Sequence, residues 1–172
     1  MGKKSIKENK NIYQMAREDA DLTRAEASEK IGYISESRLE KIESEKTNIQ
    51  PEDVIAMAKV YDKPELCNHY CAYECAIGYG HVPAVRIKDI SNIILELVVS
   101  LNTINDDKDR LMEIMVDGEI TPDEIEDFAR IKLELNKVSA TVEALQLWTE
   151  KMINSGKLDN ERLVEIIEKI NK

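Results

Sequence analysis

Apolar residues recur at three- and four-residue spacing along most of the chain, and no stretch alternates with the two-residue period of a strand. The longest such pattern runs through Ile125, Phe128, Ile131, Leu135, Val138, Val142, Leu145, Trp148 and Met152. It opens on a capping box, Thr121 and Glu124, with Pro122 at the first helical position. A helix from Thr121 to Met152 is about 50 Å long at 1.5 Å per residue. That exceeds the span of a small compact domain and predicts an extended antiparallel hairpin or a dimer interface. The fold class expected is therefore all-α.

Turn and cap signals cut the first 61 residues into shorter helices. One is expected from about Asn9 to Ala20, with Ile12, Met15 and Ala16 forming an apolar stripe. Thr23 and Glu26 form a second capping box, and Gly32 provides a stop. Ser35 caps a third helix that turns Leu39 and Ile42 inward. Pro51 begins a fourth, followed by Glu52 and Asp53 at the positive helix end, and it buries Val54, Ile55, Met57, Ala58 and Tyr61. A further helix spans Pro64 to Cys75, and the two glycines and proline of 77–83 read as a loop. Beyond it, helices are expected over Lys88–Leu101, Asp106–Val116, the long Thr121–Met152 segment and Asn160–Ile170. The division expected is a disordered lead-in at 1–8, a first domain at 9–83 and a helical dimerisation or partner-binding domain at 84–172.

Charge supports two functional halves. The chain carries a net charge of -10, which opposes binding to a polyanion. Residues 1–50, however, hold ten Lys/Arg and ten Asp/Glu, leaving 14 basic against 24 acidic residues beyond them. No apolar run reaches the roughly 18 residues needed to cross a bilayer. Gly2 offers only a faint match to a myristoylation signal, and a cytoplasmic location with reduced thiols is expected.

The run Leu22-Thr-Arg-Ala-Glu-Ala-Ser-Glu-Lys-Ile-Gly32, followed by Ser35-Glu-Ser-Arg-Leu-Glu-Lys-Ile-Glu-Ser-Glu-Lys-Thr47, resembles the Cro/lambda-repressor-like (XRE) helix-turn-helix family. The resemblance covers about Asn9–Tyr61. It implies a DNA-binding helical bundle followed by the helical hairpin or bundle with one long helix. It also implies a transcriptional regulator, a repressor acting as a homodimer on double-stranded DNA. The third helix would enter the major groove with Ser35, Glu36, Ser37, Arg38 and Lys41. Glu36 would accept from cytosine N4, and Arg38 would donate to guanine or phosphate. Thr23, Arg24, Lys46 and Thr47 would hold phosphates.

The sequence departs from the family pattern around that helix. The turn gains a residue at Tyr33-Ile34, and Glu45 stands where the family places glycine. Glu36, Glu40, Glu43 and Glu45 are expected to crowd the helix with negative charge. A second expectation follows, a protein-binding adaptor or antirepressor in which the acidic C-terminal helices engage a protein partner.

Cys67, Cys71 and Cys75 fall at i, i+4, i+8, which predicts one helical face of thiols. With His69 or His81 nearby, this stripe is a candidate for zinc, an iron–sulfur cluster or redox sensing. The spacing lacks a Cys-x-x-Cys pair, and buried cysteine also packs well as a small residue. Residues 113–124 place Gly118, Ile120 and Glu124 as in a calcium loop, but Met115 stands where a hard oxygen ligand is needed. No nucleophile–base pair, phosphate-binding glycine loop or carboxylate dyad is present, so catalysis is not expected.

Overall fold

The computed structural model describes residues 10–85, 89–116 and 118–171. The expected lead-in at 1–8 and the expected helix starts at Asn9 and Lys88 lie outside them. Among the described residues there are eight helices and no strand: α1 Ile12–Asp19, α2 Arg24–Ile31, α3 Glu36–Glu43, α4 Pro51–Tyr61, α5 Glu65–Tyr73, α6 Ile90–Ile114, α7 Ile125–Asn154 and α8 Asn160–Ile170. The all-α reading holds. Among the described residues, those up to Val82 together with those from Glu150 onward form one compact unit, and those between Pro83 and Thr149 form a second.

In the first unit, local chemistry sets each helix start. The Asn11 side chain accepts from the Gln14 amide at 2.9 Å, and the Thr23–Glu26 capping box closes in both directions. Ser35 caps α3, and Pro51 is the first residue of α4. Gly32 ends α2 with φ +87°, a conformation that a side chain would strain. The core draws on every helix of the bundle through Tyr13, Ala27, Leu39, Ile42, Val54, Met57 and Leu66. Ile34 in the turn and Ile49 before α4 are buried with them. Ile55, expected inside, is 61% exposed, because α4 turns Val54, Met57, Ala58 and Tyr61 to the core instead. α5 is shorter than expected. It ends at Tyr73, so Cys75 lies beyond the helix.

In the second unit, α6 is continuous where two helices were expected. The break expected between Leu101 and Asp106 is helical, and just beyond it Arg130 of α7 holds both oxygens of Asp107 at 2.5 and 2.6 Å. Arg110 donates to Asp127 at 2.7 Å. These crossed pairs set α6 and α7 antiparallel. The less exposed positions of α6 form one stripe, a seam through Ile90, Ile93, Leu97, Ser100, Ile104, Asp107, Leu111 and Ile114, with Thr103 and Arg110 half-buried beside it. On α7 the buried positions are Ile131, Thr141, Ala144 and Leu147, with Asp127, Glu134 and Val138 half-buried on the same helix. At the other end, the Glu124 carboxylate accepts from the Thr121 amide and hydroxyl at 3.0 and 2.6 Å. The Glu124 amide donates to the Thr121 carbonyl rather than its hydroxyl, so α7 starts at Ile125 instead of Pro122 and runs two residues past the expected Met152 end. Beside the seam is a groove of about 890 Å³ with small residues Ser100, Thr103, Ala140, Thr141 and Ala144 in its walls.

Candidate nucleic-acid interface

α2, the turn at Gly32 and α3 form the helix-turn-helix. Ala27, wholly buried, brings α2 close to its neighbours, and the Ser28 hydroxyl donates to the Ile34 carbonyl at 2.7 Å across the turn. Leu39 and Ile42 fasten α3 to the core. A third anchor is ionic. Glu43, 1% exposed at its side chain, accepts from Arg17 Nε at 2.6 Å and Nη2 at 2.9 Å, and from Arg24 Nε at 2.8 Å. Arg17 also donates to the Leu22 carbonyl at 2.7 Å. The Glu43 carboxylate beside it raises the Arg17 guanidinium above its ordinary value. One carboxylate thus ties α3 to α1 and to the start of α2, and the Asn11 side chain adds a bond to the Ile42 carbonyl at 2.8 Å.

This corrects the charge expected on α3. Glu43 faces inward and is neutralised, so the glutamates left outward are Glu36, Glu40 and Glu45. Its spacing of one turn from Leu39 carried that signal, since Leu39, Ile42 and Glu43 stand at i, i+3, i+4. Asp53 is the second residue that the sequence reading left out. Buried at the start of α4, it accepts from Arg38 Nε at 3.2 Å and Nη2 at 2.5 Å.

The expected contact residues fall into two groups. Thr23 caps α2, and its hydroxyl donates to Glu26 at 2.7 Å. Ser35 caps α3 by accepting from the Arg38 amide at 3.3 Å. Arg24 and Arg38 are half-buried and engaged within the chain, by Glu43 and Asp53. Glu36, Ser37, Lys41 and Lys46 are exposed on one continuous stretch, with Thr47 half-buried at its end. Tyr33, exposed on the lengthened turn, donates its hydroxyl to the Glu52 carbonyl at 2.8 Å. Glu45 ends the α3 region with φ +57°, the left-handed conformation that glycine adopts freely.

The three cysteines divide between α5 and the segment after it. Among the described residues no three His, Cys, Asp or Glu side chains are grouped to hold an ion. Cys67 and Cys71 share α5, but Cys75 sits past its end, where its amide donates to the Tyr70 carbonyl at 2.9 Å. Burial, with Glu150 and Cys71 nearby, pushes the Cys67 thiol up and so disfavours the thiolate that a metal or an electrophile needs. His69 lies against Tyr73 and beside Glu74, which accepts from the Tyr13 hydroxyl at 2.6 Å. His81 is exposed in the following loop.

Among the described residues no helix is long and apolar enough to cross a membrane. Residues 14–66 match the family model described as helix-turn-helix, the XRE type that the sequence resembles. Neither the comparison with curated proteins nor that with solved structures finds a match.

Proposed function

We propose that this chain, with its helix-turn-helix domain at residues 14–66, binds double-stranded DNA in a sequence-specific way and represses transcription as a dimer. The supporting observation is the rigid presentation of α3. Leu39, Ile42 and the paired Glu43 immobilise one face, which leaves Glu36, Ser37 and Lys41 outward at the spacing a major groove accepts. Arg38 joins them by exchanging Asp53 for a base edge or phosphate. Lys46 and Thr47 then lie where the chain leaves the groove. In a two-fold dimer the two recognition helices would sit about 34–36 Å apart on one face of the duplex.

A second reading, an adaptor that binds protein, draws on one specific observation. Outward Glu36, Glu40 and Glu45 outnumber Lys41 and Lys46 on this stretch, and Arg24 and Arg38 are partnered internally. A salt titration of binding to pooled genomic DNA fragments separates the two. A regulator shows affinity that falls as a power of salt concentration, at close to one unit of slope per phosphate contacted. Negligible binding at 50 mM salt would overturn the DNA reading and favour the adaptor. On a selected fragment, Arg38→Ala is expected to cost about 1–3 kcal/mol and to relax preference at one base pair; unchanged affinity and preference would remove that contact.

A further inference from the structure

The first half of α6 is aliphatic over most of its circumference, with Glu96 lining the groove beside α7, and so wide an apolar face is the pattern of a helix with more than one neighbour. Its seam residues Ile93, Leu97 and Ser100 form its less exposed stripe. Ile94, Val98 and Leu101 form a row away from that seam, and Leu95 and Val99 form the row beside it, all five between 43% and 62% exposed. Charge is segregated along the hairpin in the same sense. Residues 106–137 carry eleven acids and five bases, whereas 97–105 and 138–149 together carry a single charged side chain, Glu143. The exposed aliphatic rows therefore lie at the weakly charged end of the hairpin, with Glu96 beside them on the groove side, in a chain whose net charge is -10.

We propose that this face of α6 is the dimer interface, with the α6 of a second copy packed on it antiparallel about a two-fold axis near Val98. The inference deepens the dimer of the preceding section by naming its surface. Two molecules of this acidity repel, and like charges placed opposite each other cost several kcal/mol. A self-complementary contact is favoured where no charge meets its own copy. The outward positions Ile94, Val98, Leu101, Asn102 and Asn105 satisfy that condition, and Glu96 lies off this row, in the groove beside α7. The β-branched Val98 and Val99 at the centre allow close approach, and the aliphatic rows on either side interdigitate along the i, i+4 ridges. A contact of this kind is isologous, so residue 98 faces residue 98 of the partner.

The test uses the full chain without DNA, by sedimentation equilibrium. The wild type is expected to have twice the 19.6 kDa chain mass. Val98→Asp and Val98→Lys, each placing like charges across the axis, are expected to raise the dissociation constant on the order of 100-fold or more. Their equimolar mixture is expected to recover the dimer, because opposite charges then meet at the axis. Leu133→Asp, on the charged half of α7, is expected to leave the dimer intact. Far-UV circular dichroism should show unchanged helicity in all variants, since each site is exposed. A wild type that stays monomeric at 100-fold the concentrations used for DNA binding, single variants that stay dimeric, or a mixture that fails to reassociate would each overturn the interface. Because no DNA is present, a dimer that passes this test and still ignores DNA refutes the regulator reading alone.

Discussion

Removing Glu43 tests how the recognition helix is held. Its side chain is 1% exposed and that of its partner Arg17 is 7% exposed, so Glu43→Ala leaves a guanidinium buried without a counter-charge. Breaking such a pair from one side costs about 3–5 kcal/mol. Arg24, on the same carboxylate, is 35% exposed, and water screens it. Arg24→Ala is therefore expected to cost less than about 1 kcal/mol. The contrast between two partners of one carboxylate is the discriminating quantity. For a domain of this size 3 kcal/mol corresponds to a midpoint lowered by roughly 12 °C or more. Amide exchange within α2 and α3, which reports this domain separately from the hairpin, should accelerate by about 100-fold or more. The double variant Arg17→Met/Glu43→Leu fills the space without charge and is expected to recover most of the loss. If Glu43→Ala costs no more than Arg24→Ala, the carboxylate is not the anchor described and α3 is held by Leu39 and Ile42 alone.

Three further outcomes follow from the geometry. Glu45→Gly is expected to stabilise the first unit by about 0.5–1 kcal/mol in urea titrations, because a left-handed side chain is relieved even after the added freedom of the unfolded chain; a destabilised variant would contradict that balance. Gly78→Ala would place its Cβ 2.1 Å from the Cys71 carbonyl oxygen, so the loop must move. A loss of about 2 kcal/mol or more, read by thermal melting, is expected, and an unchanged midpoint would show that the loop yields freely. His69 has its pKa lowered from 6.5 chiefly by burial, with Glu74 acting in the opposite sense. A base whose folded value is depressed binds protons more readily unfolded, so its contribution is present above pH 6.5 and is lost as pH falls below it. His69→Phe should flatten stability between pH 7 and 5, and an undiminished slope would assign that slope to other groups.

Features set by near neighbours were readable in the sequence. The Thr23–Glu26 box, the Ser35 cap, the Pro51 start and the Gly32 stop each need only three or four adjacent residues, and each appears as expected. What escaped depended on partners far along the chain. Glu43 looked like one acid among several because Arg17 is 26 residues away. Arg38 looked free because Asp53 had been assigned to the α4 dipole alone. The helix was divided between Leu101 and Asp106 because the partner that holds Asp107 within α6, Arg130, lies 23 residues on. The expected helical stripe of thiols stops short of Cys75 because α5 ends at Tyr73 and Gly78 lies close to the Cys71 carbonyl, a contact of which the thiol spacing carries no sign.

The crossed pairs of the hairpin also bear on how it comes together during synthesis. Asp107 and Arg130 are separated by 23 residues and Arg110 and Asp127 by 17, whereas Ser100 and Thr141 are 41 apart. Shorter closures cost less chain entropy, so zipping starts at the charged turn and proceeds outward. The aliphatic rows from Ile94 to Leu101 are translated well before the α7 residues that complete their end of the seam. At about 5–20 residues per second the ribosome needs roughly 2–8 s to reach Thr141 from Ser100. During those seconds the most adhesive segment of the chain is without its intramolecular partner. The acidic stretch from Asp106 onward, the next to be made, supplies charge repulsion that discourages neighbouring nascent chains on one message from associating too early.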